Sequence, residues 1–466
     1  MNALWPPEAL AAATGGRMTV PFAAAGVSID SRSLRPGDLF VALAGEHRDG
    51  HEFVAAALAR GAAGALISHR PADARADAPL LLVADTLAGL AGLGQFARTR
   101  SAARVVAITG SVGKTTTKEM LRRILEAVLG PGAVHAAPAS YNNQWGVPLT
   151  LAELPPDAAC AVIEIGMNHA GEIAPLAALA RPDIAVVTGI EKTHIGLLGS
   201  LEAIADEKAA LPAALGPGGV AILPRDTPFL PRLAARVPPS CRVITFGEAP
   251  LADLRLLAAE RDAGATDVAA AVFGLPIRFP LAAAGRHLAL DSLAALAAAV
   301  SLGLGAETAG RALAGFAALP GRGARRPLRL AAGDAVLLDE SYNASPAALR
   351  AALAVLAAEP GRRIAVLGDM LELGRMAAEE HVDLAPEVAD SADLVFACGP
   401  MMRRLFGCVP KRLQGAWRAD AETLAPIVAA ALAPGDAVLV KGSLGSRMRL
   451  VVEAIAARSV LPLEAG

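Results

Sequence analysis

The sequence has few cysteines, few aromatic residues and almost no net charge, and each shortage narrows what the chain can be. Its four cysteines, Cys160, Cys241, Cys398 and Cys408, lack the paired spacing that holds zinc or an iron–sulfur cluster, and Cys160 and Cys398 fall within apolar runs. Buried, reduced thiols are the expected state. Aromatic residues make up 3% of a chain that is 54% hydrophobic, so the apolar mass is aliphatic and suited to helices packed on strands. With 43 basic and 45 acidic residues the formal charge is -2. So balanced a chain has no general positive field for a nucleic acid or an anionic membrane, and charged ligands must be met locally. No run approaches the ~20 apolar residues of a membrane span, and MNALWPPEALAAATGG lacks the basic start and apolar stretch of a secretion signal. The expected location is the cytoplasm, without membrane insertion or a nucleic-acid partner.

At 466 residues the chain is long enough for about three domains of ~100 to 150 residues each. Residues 1–100 alternate short apolar runs, DLFVAL and GALIS, with the helical segment HEFVAAALARGA, which reads as a small α/β unit. Residues 101–321 alternate the strand-like runs RVVAITG, CAVIEIG, DIAVVTG and GVAILP with Ala/Leu-rich helical stretches, the pattern of a mostly parallel sheet flanked by helices. PGRGARRP, concentrating Pro, Gly and Arg, marks a linker. Residues 322–466 add the strands AVLLDE, RIAVLGDM, DLVFACG and AVLVKGS, with helices beginning near Pro346, Met376, Ala421 and Gly445, a second doubly wound, Rossmann-like α/β unit.

In such sheets ligands meet the carboxyl ends of the strands, and polar motifs gather there. RVVAITGSVGKTTTKEMLRRIL runs from strand through a glycine turn into a helix, so the loop Gly110-Ser111-Val112-Gly113-Lys114-Thr115-Thr116 reads as a phosphate loop for Mg-ATP. Lys114 would neutralise phosphate charge, and the Thr115 hydroxyl would suit a hard Mg²⁺ ion. Ile108 stands where the general motif has its first glycine, so the loop is a shortened variant. Glu164 ends a neighbouring strand and is a candidate metal ligand, and His194, in TGIEKTHIGLLGS, follows another strand. Lys208, in IADEKAAL, reads by itself as a solvated helix lysine. Asn142 and Asn143 in SYNNQWGVPLTL offer donors and acceptors from a loop. LDESYNASP places Asp339, Ser341, Tyr342 and Asn343 between a strand and a helix, and KGSLGS places Lys441 and Ser443 likewise. Helix capping alone would account for much of both motifs.

Taken together these segments resemble the Mur ligase family, ATP-dependent enzymes that extend the peptidoglycan stem peptide, across all three domains. The combination of GSVGKTT, YNNQWGVPLTL, DESYNASP, LGDMLELG and KGS is similar to that of the member that adds D-alanyl-D-alanine to UDP-N-acetylmuramoyl-tripeptide. The DNPR motif of the diaminopimelate-adding relative is absent. The resemblance implies that Ser31, Arg32, Phe40, Asp49, Gly50 and His51 of the first domain grip the UDP-sugar, with Asn142 and Asn143 facing the same substrate. It implies that Lys114, Glu164, His194 and Lys208 carry catalysis with ATP and two Mg²⁺ ions. Thr115 and Glu164 would hold one ion, and His194 with a carbamylated Lys208 the other. Arg322 and Asp339 would reach ATP phosphates and ribose, and Asp291 would stand at the adenine contact, where the family usually has asparagine, as it does at Leu288. Ser341, Tyr342, Asn343, Lys441 and Ser443 would face the D-alanyl-D-alanine acceptor. A monomer is implied. Another ligase of this architecture, a different Mur ligase or a folylpolyglutamate synthase, and a non-ligase nucleotide switch remain the competing readings.

Overall fold

A computed structural model describes residues 3–45, 48–262 and 264–460. It contains three sheets that follow one another along the chain, each with helices packed against it, which is the three-part α/β architecture expected from the strand pattern. The first sheet orders its strands Arg17–Met18, Leu80–Leu82, Gly64–Ile67, Asp38–Val41 and Gly26–Ser28; the outermost Arg17–Met18 is antiparallel and the rest are parallel. The third runs Ala324–Leu330, Gly333–Glu340, Asp436–Lys441, Arg362–Gly368, Leu394–Cys398 and Gln414–Arg418, again parallel but for its first pair.

The middle sheet has nine strands. Its parallel part brings Arg104–Thr109 between Cys160–Glu164 and Ile184–Val187, and pairs Ile108 with Glu164. Alternation along Arg104–Thr109 buries Val105 and Ala107 against one apolar layer and Val106 and Ile108 against the other, as a strand covered on both faces requires. Ile108 is therefore a core strand residue, and the glycine turn begins two residues later than in the general motif.

The sheet is mostly parallel, as expected, and only its far edge is not: Leu254–Asp262, Ala265–Val272 and Leu275–Leu281 form an antiparallel meander that the sequence pattern did not place. The last hairpin turns at Phe273 and Gly274, both with positive φ (49° and 83°), the backbone of a tight two-residue turn with Phe in a place usually taken by Asn.

The short helix Gly146–Ala152 links the first two sheets. Asn143 Oδ1 accepts from the N–H groups of Trp145 (3.1 Å) and Gly146 (2.9 Å) at its start. At its other end the buried Trp5 donates to Ala152 O (3.0 Å), and Glu153 takes Arg35 (2.9 Å) and the Val27 N–H of the first sheet. The middle and third units meet where Gly196 N donates to Glu372 O (2.9 Å), beside the Lys192–Glu380 ion pair. A Cβ on Gly196 would stand 2.5 Å from Gly374 N, so only glycine fits this crossing.

Cys160 and Cys398 are buried in strands as expected, and burial pushes the Cys398 thiol up to about 12. Cys241 is only partly buried and Cys408 is exposed, against expectation, because each lies outside the strand cores. No helix among the described residues is long and apolar enough to cross a membrane.

Candidate active site

The strand Arg104–Thr109 delivers the chain to Gly110 (φ 152°), and Gly113 (φ 81°) then turns it into the helix Lys114–Leu129. Neither glycine tolerates a side chain: a Cβ would lie 1.9 Å from Thr188 Oγ1 at Gly110 and 2.2 Å from Asp291 Oδ1 at Gly113. Thr188 Oγ1 also donates to Val112 O, and Ser111 N donates to Gly189 O (2.9 Å), so the neighbouring strand end holds the loop in shape. The first turn of the helix leaves its backbone N–H groups free for an anion.

Lys114 folds back on this loop, its Nζ donating to Gly110 O (2.7 Å) and Ser111 O (3.3 Å). Burial pushes its ammonium down to about 8, Glu164 opposing the shift and Arg322 adding to it. Thr115 Oγ1 lies 3.3 Å from Ser140 Oγ, which donates to Glu164 Oε1 (2.7 Å). Asn142 Nδ2 donates to the same Oε1 (2.8 Å), while Glu164 Oε2 is buried without a hydrogen-bond partner. A threonine hydroxyl and an unpaired carboxylate oxygen, on residues that both contact Ser140 and both line one cleft, are a donor set that fits Mg²⁺.

A cleft of about 560 Å³ opens over this loop between the middle and third units. Ser111, Val112, Gly113, Lys114, Thr115, Thr116, Asn142, Asn143, Glu164, His194 and Asp291 line it from the middle unit. Arg322, Tyr342, Asn343, Lys441 and Ser443 line it from the other side. Arg322 stacks its guanidinium 4.0 Å from the Tyr342 ring centre. Lys441 Nζ reaches Glu340 Oε2 (3.2 Å) and Asn343 O (3.1 Å), and Ser443 Oγ accepts from Leu371 N (2.9 Å). His194, with left-handed backbone (φ 62°), holds Nδ1 2.6 Å from Glu372 Oε2. Burial raises the Asp291 carboxyl well above the usual carboxylate range, opposed by Arg322, and a carboxyl held neutral offers a donor and an acceptor much as asparagine does.

Lys208 lies beneath the cleft rather than on its wall, and it is buried, not solvated as its helix text suggested. Its helix Leu201–Ala213 packs inward, and Glu207 beside it accepts from Gly171 N (2.7 Å) and Ile173 N (2.8 Å). Burial, with Lys114 adding its positive field, holds the Lys208 ammonium well below the usual lysine value against the pull of Glu207.

Gly110, Asp339 and Ser341 also stand behind the cleft wall. Asp339 is buried, pairs with Arg326 (3.1 Å) and accepts from Ser341 Oγ (2.7 Å). The candidate sugar-nucleotide residues form a separate group on the first sheet. Arg32 is exposed and pairs with Asp30 (2.7 Å), and the Ser31 carbonyl accepts from Arg60 (3.0 Å). Phe40 is a core side chain with no surface to offer a ligand. His51 is buried, its Nδ1 2.6 Å from Asp49 Oδ1 and its Nε2 accepting from Ser68 N (2.9 Å). Asp49, His51 and His69 cluster closely enough for a metal, but that Ser68 N–H occupies Nε2, so the histidine braces the Asp49-Gly50 turn instead.

A model of the Mur ligase middle domain matches residues 108–299, one of the Mur ligase glutamate ligase domain residues 327–444, and one of the Mur ligase family catalytic domain residues 24–96. The chain belongs to the Mur ligase family. A Mur ligase of Escherichia coli K12, UDP-N-acetylmuramoyl-tripeptide–D-alanyl-D-alanine ligase, is 36% identical over 446 residues, covering 92% of this chain and 93% of that one. The Bacillus subtilis protein of the same name is 32% identical, with 92% of each chain covered. Among solved structures, MurF from Acinetobacter baumannii superposes with a TM-score of 0.85 at 30% identity, over 97% of this chain and 99% of that one. The Thermotoga maritima MurF ligase, solved in complex with ADP, gives 0.78 at 27% identity, over 93% and 97%.

Four further residues packed around this candidate site escaped sequence reasoning. Ser140, Lys118 and Thr188 are ordinary loop, helix and strand-end residues by pattern, and only the fold shows them touching the phosphate loop or its neighbours. Glu372 falls in LGDMLELG, a motif noted only for its likeness to the family; its position after a strand and short loop was the available signal.

Proposed function

We propose that the chain joins D-alanyl-D-alanine to the terminal carboxyl of UDP-N-acetylmuramoyl-tripeptide at the expense of ATP, as a step of peptidoglycan precursor synthesis. One observation carries the reading: a phosphate loop and the free oxygen of Glu164 face Asn343, Lys441 and Ser443 of the third unit across a single cleft. All these groups come from one chain, so the reading needs no second copy. It divides the chain into residues 1–100 for the UDP-sugar, 101–321 for ATP and 322–466 for the acceptor, working in the cytoplasm.

A free carboxylate resists attack by an amine, so it must first be activated. A carboxylate oxygen of the tripeptide attacks the γ-phosphorus, its bond to ADP breaks, and an acyl phosphate results. Lys114 exchanges its loop carbonyls for phosphate oxygens, and Arg322 approaches from the other wall, so both cations meet charge on the phosphoryl group. Thr115 and Glu164 would hold one Mg²⁺, which neutralises phosphate charge and orients the phosphates when bound. His194 would stand toward a second ion. Lys208, held toward its neutral amine, is the form that adds CO₂ and loses a proton to become a carbamate, and the anion would sit near Lys114.

The D-alanyl-D-alanine amine then attacks the acyl carbon. The tetrahedral intermediate expels phosphate, the former amine nitrogen gives up a proton, and a new amide remains. Lys441, Ser443 and Asn343 would hold the dipeptide, with Ser341 and Asp339 bracing their loop from behind. Asp291 and Arg322 would meet the nucleotide. Ser31, Arg32, Asp49, Gly50 and the brace His51 would serve the UDP-sugar, together with Asn142 and Asn143.

The test is substrate dependence. ADP release should require both UDP-N-acetylmuramoyl-tripeptide and D-alanyl-D-alanine, and the UDP-pentapeptide should appear in step with it. ATP hydrolysis indifferent to both would overturn the proposal in favour of a nucleotide switch. Comparing tripeptides ending in diaminopimelate and in lysine would assign the third stem residue.

A further inference from the structure

Lys118 stands one helical turn beyond Lys114, and none of its surface is exposed. Its Nζ donates to Ala137 O (2.8 Å) and Ala139 O (3.1 Å) and forms an ion pair with Glu119 Oε1 at 2.9 Å. Glu119 is buried as well, and its second oxygen takes Arg122 Nε (2.7 Å). Burying such a pair gains little stability over well-packed apolar side chains, so what the charge supplies is direction.

That direction is toward one loop. After the strand Val134–Ala136 the chain runs to Gly146 without regular structure, and its buried carbonyls need donors from elsewhere. Lys118 supplies them at residues 137 and 139, immediately before Ser140. Beyond Ser140 the loop is tied again, with Asn142 O accepting from Gly166 N (2.7 Å). Between these anchors Ser140 Oγ and Asn142 Nδ2 both grip Glu164 Oε1, which leaves Oε2 as the free oxygen, while Ser140 Oγ also lies 3.3 Å from Thr115 Oγ1.

We infer that Lys118 is a positioning residue of the metal site: it holds the Ala137–Ala139 carbonyls so that Ser140 and Asn142 aim Glu164. The inference rests on Thr115 and Glu164 serving Mg²⁺ as proposed. Groups that orient a metal ligand typically affect metal affinity about 10- to 100-fold, without entering catalysis or acceptor binding themselves.

The experiment measures binding of a fluorescent ATP analogue, with Mg²⁺ and with EDTA, to the wild-type chain and three variants. Lys118→Met removes the donors. Lys118→Met/Glu119→Gln also removes the stranded carboxylate charge, and serves if the single variant does not fold. Lys118→Arg is the conservative control. The Mg²⁺-dependent gain in affinity should fall about 10-fold or more in the Met variants, with EDTA affinity little changed and partial recovery in Lys118→Arg. In the ligase assay the half-saturating Mg²⁺ should rise by a similar factor while KM for D-alanyl-D-alanine stays put. A folded Met variant with the full Mg²⁺ gain would overturn the inference alone. A wild-type chain with no Mg²⁺ gain would overturn the metal site, and the inference with it.

Discussion

Replacing Lys114 by methionine should destroy turnover and yet make the free protein more stable at neutral pH. The side chain is held at about 8 against an ordinary 10.5, mainly by burial. At about 1.36 kcal/mol per pH unit, that displacement of about 2.5 units corresponds to a cost near 3 kcal/mol for keeping the ammonium in place below pH 8. Methionine has similar length and no charge, so it escapes this cost and loses only the hydrogen bonds to Gly110 O and Ser111 O, about 1 kcal/mol each. A net gain of about 1 kcal/mol at pH 7 is expected. The pH dependence carries the sharper test. Between about pH 8 and 10.5 the unfolded chain retains the lysine proton while the folded chain releases it, so wild-type stability rises with pH through that window. Lys208 adds a slope of the same sign, and because the Lys114 charge deepens its shift, the difference between wild type and variant reports Lys114 together with its coupling to Lys208. Urea unfolding from pH 7 to 10 should show the variant's advantage shrinking toward high pH. A variant markedly less stable than wild type at pH 7, or a difference independent of pH, would refute the reasoning.

Glu164→Gln should cut kcat by about 100-fold or more while nucleotide binding in EDTA persists, and an unaltered Mg²⁺ dependence would remove Glu164 from the metal site. Lys208→Ala should be inactive, with partial recovery on adding short carboxylates, and wild-type activity should fall on stripping CO₂ from the buffer; an active Lys208→Ala would end the carbamate proposal. Gly110→Ala sets a methyl 1.9 Å from Thr188 Oγ1, so nucleotide affinity should drop at least about 10-fold, the equal of ~1.4 kcal/mol, and recover in part with Thr188→Ala. Titration by fluorescence would read both variants, and undiminished affinity in Gly110→Ala would show that the loop has room to move.

The phosphate loop was legible because its physics is local. An aliphatic strand, two glycines and a lysine–threonine helix start fall within a dozen residues, and the Ile108–Glu164 register then brings the carboxylate beside them. Lys208 was not legible without a relative to compare, since an alanine-rich helix shows no sign of which face turns inward. Ser140 and Lys118 were hidden for a related reason: their importance lies in whom they touch across 24 and 19 residues of sequence. The antiparallel meander was not legible because alanine favours helix by propensity, and the pairing of Ala269, Ala270 and Ala271 with Leu275–Leu281 is a tertiary decision. Phe273 at a turn that favours asparagine hid the hairpin further. Family likeness supplied roles that pattern could not, but it did not reveal that Phe40 lies in the core and Lys208 under the cleft floor.

The helix Gly146–Ala152 works as a lever. Its seven residues span roughly 10 Å at 1.5 Å each, with one end clamped by Trp5, Val27 and Arg35 and the other capped by Asn143 next to Asn142. Tilting the first unit by roughly 10° would swing the far end by nearly 2 Å, which exceeds the tolerance of a hydrogen bond. The orientation of the first unit and the aim of Glu164 are thus mechanically linked through this helix. If the first unit seats the UDP-sugar and Glu164 holds Mg²⁺ as proposed, seating the first substrate and squaring the metal ligand would be the same movement, tying phosphoryl transfer to a carboxylate already in place.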